Sequence, residues 1–352
     1  DADAVVVCPY IDGCDDKEFP YKVIRLKSLK VPFTSYKIVD VFCNKSELIN
    51  EEFDIIHIHS PFILGRLGIN LAKKLNIPCI STLHTRFDFE FKRFVKNGAI
   101  AKKVAGVLIK SLNKCDLCTV VNDPLVLEAR NYGYKGRIRI VYNGTDLKPA
   151  IFKGIKKNMI NEMFNLKEED KVMIFVGRII DIKNIFFIMD ALKLLKDDNF
   201  SFKMIFVGEG PDYEKLIDRV KEYNLEDDVI LTGKITDRKL LSYIYRRSDL
   251  LLFPSLFDTS SLVRIEAAVN MTPGLFIRES MVGSTITDGV DGYLSELDVN
   301  LYKNKIISIF NNESELKKVS RNAKKNLGVS WSEIIKKYYK IYNEEISIKK
   351  DC

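Results

Sequence analysis

The sequence lacks the features that mark fibrous, disordered or membrane-spanning chains. No tract is rich in proline, glycine or serine, which argues against a disordered linker. The longest apolar runs fall far short of the ~20 residues that a membrane-spanning helix needs, and no secretory signal is visible. We therefore expect a globular protein that folds along its whole length in the cytoplasm.

The chain has few residues that could form a metal or redox site. The chain has three histidines, and its seven cysteines are an odd number scattered along it, several inside apolar runs such as IPCIS. Cys115 and Cys118 form a C-x-x-C pair, but a zinc site needs four ligands and no histidine is near them in sequence. We interpret the cysteines as buried, reduced thiols rather than metal or redox groups, and expect no metal and no cofactor.

Length and charge narrow the expectation further. A chain of 352 residues is too long for one ordinary core and suits two domains, which implies a cleft between them. The net charge of +7, from 55 basic and 48 acidic residues, would attract phosphates, nucleotides or anionic lipid. No DNA-binding or RNA-binding motif accompanies this charge, so nucleic acid is not an expected partner.

Short β-branched or aromatic runs alternate with helical patterns, as in parallel α/β sheets. The first series is AVVVC, DIIHIH, PCIST, LCTVV and IRIVY; the second is VMIFVG, FKMIFVG, VILTG, LLLFPS, GLFI and GYL. The turn-rich stretch YNGTDLKPAIF separates the two. We predict an α/β fold with two Rossmann-like domains at 1–148 and 149–328. A C-terminal helix at 329–352 opens with the capping pattern Ser330-x-x-Glu333 and is expected to return toward the first domain.

Loops that follow strands are where open parallel sheets bind ligands. The run VMIFVG ends in Gly177 and is followed by Arg178 and, five residues later, Lys183. Two positive charges there could hold a diphosphate against the start of the next helix. The run FKMIFVG ends in Gly208, which permits a tight turn before a helix. Taken alone, the two basic residues are more typical of an ordinary solvated loop, and Gly208 of a simple strand-to-helix turn.

The stretch LLLFPSLFDTSSLVRIEAAV carries the strongest signal: a strand, a hydroxyl-rich loop and a helix. Ser260 and Ser261 are candidate helix caps, and the free N–H groups at the helix start, from Leu262 on, could receive a diphosphate. Asp258 at the loop tip could hold sugar hydroxyls. Glu266, eight residues later, could accept both hydroxyls of a ribose. The alternative is a helix cap and an incidental surface glutamate.

With these stretches in view, the sequence resembles glycosyltransferase family 4. The matching segments are HIHSPF, STLHTRF, VYNGTD, VGRIIDIKN, VGEGPDYE, FPSLFDTSSLVRIEA and TDGVDGYL, and they span nearly the whole chain. The resemblance implies the GT-B architecture, two facing Rossmann-like domains with the active site in the interdomain cleft. It implies that Arg178 and Lys183 bind the donor diphosphate. It further implies that Glu266 binds the ribose and that Asp258 contacts the donor sugar.

The resemblance also places His84 in the catalytic cleft, near the transferred sugar. His84 directly follows the strand PCISTL, a good position for polar chemistry. A buried histidine bound by backbone groups is the alternative. His59 follows another strand in the same way, and a structural role is as well supported there.

Three departures from the family pattern affect these expectations. Ser261 stands where the family usually has glycine. Around NMTPGLFIRESMVGS, Met271 and the pair Arg278 and Glu279 replace small residues, which suggests an altered activity. The family also has a first strand and a Gly-rich loop ahead of AVVVC, where this sequence opens, so we expect those parts to be missing.

The expected function is transfer of a hexose from a nucleotide diphosphate sugar, a UDP-sugar being favoured, to a glycan or lipid acceptor. The resemblance implies retention of anomeric configuration. Because Arg178, Lys183 and a helix start would stabilise the leaving diphosphate, no metal is required. The alternatives are a non-catalytic or weakly active nucleotide-sugar-binding protein, favoured by Ser261 and the missing strand, and an epimerase of the same fold. A phosphorylase would need a cofactor lysine that we cannot place.

The segment RFDFEFKRFVKNGAIAKKVAGVLIK mixes aromatic and basic residues. These are Phe87, Phe89, Phe91 and Phe94 with Arg86, Lys92, Arg93, Lys96, Lys102 and Lys103. They could form a basic, amphipathic surface that rests peripherally on the anionic inner face of the membrane, near a lipid acceptor. The alternative is a pair of helices with one core face and one solvated face.

Overall fold

The computed structural model describes residues 3–31, 37–87, 97–151 and 155–351. The chain divides into two compact units, one of Asp1–Val141 with Lys337–Cys352 and one of Tyr142–Lys336. The final helix therefore begins in the second unit, and its residues from Lys337 onward belong to the first. Both units are built on parallel sheets with helical connections, so the predicted α/β class is confirmed.

The first unit contains one four-stranded sheet and two strand pairs. Its strands are β1 (Val5–Pro9), β2 (Lys22–Leu26), β3 (Ser28–Lys30), β4 (Lys37–Val39), β5 (Ile56–Ile58), β6 (Cys79–Leu83), β7 (Leu117–Val120) and β8 (Ile138–Ile140). Strands β5 to β8 form a parallel sheet in chain order, β1 pairs in parallel with β2, and β3 pairs antiparallel with β4. The helices are α1 (Ser46–Ile49), α2 (Ile63–Leu75), α3 (Gly98–Ser111) and α4 (Pro124–Asn131).

The second unit is a doubly wound sheet. Its strands are β9 (Val172–Val176), β10 (Lys203–Val207), β11 (Val229–Leu231), β12 (Leu250–Phe253), β13 (Gly274–Ile277) and β14 (Tyr293–Ser295), in the spatial order β11-β10-β9-β12-β13-β14. All pair in parallel. Counted from β9, this order is 3-2-1-4-5-6, the Rossmann arrangement. The order reverses between β9 and β12, and such sheets bind ligands at that switch point.

The remaining helices follow β8 in the chain, and the last of them, α12, runs from the second unit into the first. They are α5 (Ile155–Met163), α6 (Ile185–Asp197), α7 (Tyr213–Glu222), α8 (Arg238–Arg247), α9 (Leu262–Val269), α10 (Val299–Asn311), α11 (Glu313–Leu327) and α12 (Trp331–Lys350). The predicted capping pattern opens α12: the Glu333 carboxylate accepts from the Ser330 N–H at 2.9 Å, and the Ser330 hydroxyl accepts from the Glu333 N–H at 3.3 Å.

A row of phenylalanines crosses the centre of the second sheet. Phe206, Phe175, Phe253 and Phe276 come from four adjacent strands, with successive ring centroids 5.8, 6.1 and 6.2 Å apart. All four are almost completely buried. Because truncating such a side chain to alanine costs about 3–5 kcal/mol, this row fixes the strands whose carboxyl ends carry the candidate site.

Candidate active site

Two loops meet at the switch point of the second unit, one after β9 and one after β12. The ammonium of Lys183 donates to both carboxylate oxygens of Asp258, at 2.5 and 2.7 Å. Next to it, the Asn184 side-chain amide donates to the carbonyl of Pro254 at 2.8 Å. The structure thus brings together a cation and a carboxylate that lie 75 residues apart in the sequence.

Glycines let the loops after β9 and β10 pack backbone against backbone. Gly177 and Gly208 have φ angles of +155° and +146°, where a side chain is strained. A Cβ atom at Gly208 would lie 1.8 Å from the carbonyl oxygen of Gly177, and one at Gly210 would lie 2.1 Å from that of Ile179. The carboxyl ends of these strands are therefore left uncovered by side chains of their own loops.

An open pocket of about 720 Å³ lies over these strand ends. Residues lining it include Gly177, Arg178, Glu209, Lys234 and Ile235. Arg178 is exposed, and within the described ranges no carboxylate lies within ion-pair distance of it. The pocket thus combines backbone, apolar side chains, the basic Arg178 and Lys234 and the acidic Glu209 at the edge where a nucleotide is expected.

The start of α9 lies in the loop that carries Asp258. Ser261 is the helix cap, since its hydroxyl accepts from the Arg264 N–H at 3.3 Å. The hydroxyl of Ser260 accepts from the Asn143 amide at 3.1 Å. Helix geometry leaves the first N–H groups, those of Leu262 and Val263, without an intrahelical acceptor. This end of the helix is therefore a site of positive potential that suits an anion.

Glu266 lies one turn into α9 and is buried, with two partners on α8. Its Oε1 accepts from the Arg238 guanidinium at 2.9 Å, and its Oε2 accepts from the Tyr245 hydroxyl at 3.2 Å. Burial, with the Glu266 carboxylate beside it, raises the pKa of Tyr245 well above its ordinary value. Tyr245 thus remains a donor, and the carboxylate is held in one orientation. Sequence reasoning did not identify either partner.

Arg238 has a second contact in the same unit. Its guanidinium also donates to Asp146 at 2.6 Å, so it bridges the VYNGTD segment and Glu266. Arg238 is the first residue of α8, whose cap is Asp237. The sequence did contain a signal for Arg238. It lies in KITDR, which follows the predicted strand VILTG, and the other candidate loops likewise follow predicted strands.

His84 belongs to the first unit, directly after β6. Its Nε2 is 2.9 Å from Nδ1 of His59, which follows the adjacent strand β5. Both rings are partly exposed to solvent, but the surrounding protein desolvates them. Desolvation, with the neighbouring His59 imidazole as a second cause, lowers the pKa of His84 to about 4, and desolvation also lowers the pKa of His59. Both imidazoles are therefore neutral at physiological pH and act as hydrogen-bonding groups.

The basic aromatic segment is only partly described. Its residues Phe89, Phe91, Lys92, Arg93, Phe94 and Lys96 lie outside the described residues. Phe87 is buried against Phe62, with the ring centroids 5.9 Å apart. No helix in the described part of the chain is long and apolar enough to cross a membrane.

Helix α3, within that segment, has two unlike faces. Ala105 and Ile109 are buried on one, whereas Ile100, Val104 and Val107, spaced i, i+4 and i+7, are exposed on the other. Lys102, Lys103 and Lys110 are also exposed. The solvated face thus combines apolar and basic side chains.

The cysteines are free thiols wherever they are described. Cys43, Cys79, Cys115 and Cys118 are buried, as predicted. The prediction is wrong for Cys14, which is exposed because it lies in the turn-rich segment between β1 and β2 and not in a strand.

Two family models match this chain, one in its N-terminal part and one in its C-terminal part. The model described as Glycosyltransferase Family 4 matches residues 1–149, and that described as Glycosyl transferases group 1 matches residues 157–326. A curated relative is the alpha-monoglucosyldiacylglycerol synthase of Acholeplasma laidlawii, 25% identical over 91% of this chain and 83% of its own. Another is the UDP-Gal:alpha-D-GlcNAc-diphosphoundecaprenol alpha-1,3-galactosyltransferase of Escherichia coli, 27% identical over 90% of this chain and 79% of its own.

Solved structures show the same fold. HepE of Anabaena, in complex with UDP and glucose, matches 92% of this chain and 86% of its own, with a TM-score of 0.72 at 16% identity. The first family model covers strands β1 to β8, and the second covers β9 to β14. The chain therefore belongs to the group 1 glycosyltransferases of family 4, enzymes of the GT-B fold that use nucleotide sugars.

Proposed function

We propose that this enzyme transfers a hexose from a UDP-sugar to a lipid or lipid-linked glycan, with the donor bound in the second unit. The observation that carries this proposal is the meeting of Lys183 and Asp258 at the switch point of the doubly wound sheet. In a bound donor, the Lys183 ammonium would pair with the diphosphate, and the Asp258 carboxylate would accept hydrogen bonds from the hydroxyls of the sugar.

In this proposal Arg178, Lys183 and the N–H groups that open α9 hold the donor diphosphate. Negative charge develops on that diphosphate as the bond to the sugar breaks, and fixed positive groups stabilise it without rearranging. A metal ion is not required for this step. The uncovered backbone at Gly177 and Gly208 allows the nucleotide to approach the strand ends closely.

Glu266 is assigned to the ribose hydroxyls. An ionised carboxylate offers about four acceptor positions, and Arg238 and Tyr245 occupy two of them. Two therefore remain for a ribose. Because both protein partners donate to it, they hold the carboxylate in one orientation before the donor binds.

The nature of the substrates is suggested by the relatives. HepE was solved with UDP and glucose, and the E. coli relative is named for UDP-Gal and a diphosphoundecaprenol acceptor. The A. laidlawii relative is named as a glucosyldiacylglycerol synthase. We propose a UDP-hexose donor and a lipid acceptor on these grounds, with retention of anomeric configuration and with His84 taking part in the transfer step.

We propose further that the exposed face of α3 rests on an anionic membrane surface. Val104 and Val107 would enter the lipid interface while Lys103 and Lys110 contact anionic headgroups. This arrangement would hold the enzyme at the surface where a lipid acceptor is available.

The transfer reaction is tested with radiolabelled UDP-glucose, UDP-galactose and UDP-N-acetylglucosamine, with diacylglycerol and undecaprenyl-linked acceptors in vesicles, in the presence of EDTA. Lys183→Ala is expected to lower transfer at least a hundredfold without unfolding the protein. The matched control is Lys215→Ala, a lysine of α7 that pairs with Asp212. Equal turnover by both variants would contradict the donor site, and NMR of the product sets the anomeric outcome.

The membrane surface is tested separately by sedimentation with phosphatidylcholine vesicles that contain or lack phosphatidylglycerol. The variant Lys103→Glu/Lys110→Glu is expected to lose binding to the anionic vesicles. Lys73→Glu/Lys74→Glu, at the end of α2, carries the same charge change on exposed lysines of the same unit. Loss of binding in both variants, or in neither, would refute the role of α3.

A further inference from the structure

The three histidines of the chain form one cluster, although the proposed function uses only His84. The His59 ring lies between the other two, with centroids 4.2 Å from that of His57 and 5.2 Å from that of His84. His57 and His59 come from the end of β5 and His84 from the end of β6. The cluster therefore stands at the carboxyl edge of the first parallel sheet.

The contact between His59 and His84 restricts the protons of both rings. Nδ1 of His59 and Nε2 of His84 are 2.9 Å apart, which is hydrogen-bond distance. One nitrogen must donate and the other must accept, because two N–H groups would oppose each other and two lone pairs would form no bond. A single proton is therefore held between the rings, and the tautomer of one ring sets the tautomer of the other.

His57 is held firmly and supports His59. Its Nδ1 lies 2.6 Å from the Tyr342 hydroxyl and its Nε2 lies 2.6 Å from the Thr82 hydroxyl. Thr82 is bonded in turn to Thr119 on the next strand, at 2.5 Å. Because both ring nitrogens of His57 are engaged, its ring cannot turn freely, and the ring of His59, tilted by 34° to it, is packed against a fixed surface.

We propose that His59 is a positioning residue for sugar transfer, which holds the His84 ring in one orientation and one tautomer. This inference rests on the role that the proposed function gives to His84. The lowered pKa values of His59 and His84 are consistent with it, since a neutral pair is the form that shares one proton. His59 itself acts on the substrate only through His84.

Three substitutions at His59 separate positioning from packing. His59→Asn puts an amide group where Nδ1 stands, His59→Gln puts it one carbon farther out, and His59→Leu removes it. With UDP-glucose as donor, His59→Leu and His59→Gln are expected to lower kcat about tenfold to a hundredfold, as losing the partner that orients a functional histidine does elsewhere. His59→Asn should stay within about threefold of the wild type, and KM for the donor should stay within about twofold in all three.

A readout independent of turnover comes from ¹⁵N NMR of the imidazoles, which is tractable because there are only three histidines. His84 is expected to show a single tautomer in the wild type and in His59→Asn, and a mixture in His59→Leu and His59→Gln. An unchanged tautomer and unchanged kcat in His59→Leu would overturn the inference. If His59→Leu does not fold, His59→Gln takes its place: the same tautomer and the same kcat in His59→Gln as in His59→Asn would overturn the inference.

His84→Ala distinguishes failure of this inference from failure of the proposed function. If His84→Ala abolishes transfer while the His59 variants behave like the wild type, only the positioning role is wrong. If His84→Ala transfers sugar normally, the role of His84 in the proposed function is wrong, and the positioning role falls with it. Donor binding by the second unit, followed through UDP titration, is unaffected in either case.

Discussion

Replacing Asp258 with asparagine should strengthen UDP binding while it weakens sugar transfer. Without donor, Lys183 is bound to both oxygens of the Asp258 carboxylate. A diphosphate must draw Lys183 away from that carboxylate, so the pair competes with the nucleotide. The sugar of an intact donor compensates by binding Asp258, whereas UDP has no sugar to do so.

The size of the effect follows from the geometry of the pair. The side chains of Lys183 and Asp258 are 25% and 20% exposed, so the pair is neither fully solvated nor fully buried. Unit charges about 4 Å apart near a protein surface attract by about 4 kcal/mol, but solvation and side-chain entropy reduce the net value to at most about 1 kcal/mol. A competing interaction of about 1 kcal/mol weakens binding about fivefold. UDP should therefore bind Asp258→Asn more tightly, by up to about fivefold, and kcat for transfer should fall about a hundredfold.

Isothermal titration with UDP and a transfer assay with UDP-glucose measure the two effects. Asp212→Asn is the matched control, because it makes the same charge change near the loop after β9 but contacts Lys215 and the Asp181 N–H rather than Lys183. Asp212→Asn should change UDP affinity by less than about twofold. UDP binding that is weaker in Asp258→Asn, or strengthened equally by both variants, would refute the competition.

Three further outcomes are expected. Gly208→Ala should lose UDP binding and about 1–3 kcal/mol of unfolding free energy in urea titrations, because its Cβ would meet the Gly177 carbonyl. Gly13→Ala, also at positive φ but in open space, should cost about 1 kcal/mol and leave binding unchanged; equal effects would refute the close packing. Glu266→Gln should weaken UDP about tenfold but leave 2′,3′-dideoxy-UDP unaffected; equal losses for both nucleotides would exclude ribose contact. Burial lowers the pKa of His57 well below its ordinary value and that of His84 to about 4. The unfolded chain thus binds protons first, and the unfolding free energy should fall as the pH drops from about 6.5 toward 4. The fall is up to about 1.4 kcal/mol per pH unit for His57 and smaller for His84, whose ring is partly exposed to solvent. If the unfolding free energy of His84→Asn decreased as steeply with falling pH as that of the wild type, the contribution of His84 would be contradicted.

The strands were predictable because their pattern is local. Runs such as VMIFVG are apolar on both faces, as buried parallel strands must be, and each predicted run forms a strand. The strands β2, β3 and β4 were missed because they mix charged with apolar residues, as KVIRL does.

The loops of the site were predictable from their position after strands, but their contacts were not. The ion pair of Lys183 with Asp258 depends on the spatial order of β9 and β12, which periodicity does not encode. The contacts of Arg238 and Tyr245 with Glu266 depend on how α8 packs against α9. The contact between His59 and His84 was easier to predict, because each histidine follows a strand of the same parallel series. The two strands, β5 and β6, are neighbours in the sheet.

The most direct test of the donor site is calorimetric titration of the chain and of Lys183→Ala with UDP, GDP and ADP. We expect UDP to bind the unaltered chain in preference to the other two, and Lys183→Ala to lose most of this affinity. Failure of all three nucleotides to bind, or equal UDP affinity in both proteins, would contradict the placement of the donor at the switch point of the second unit.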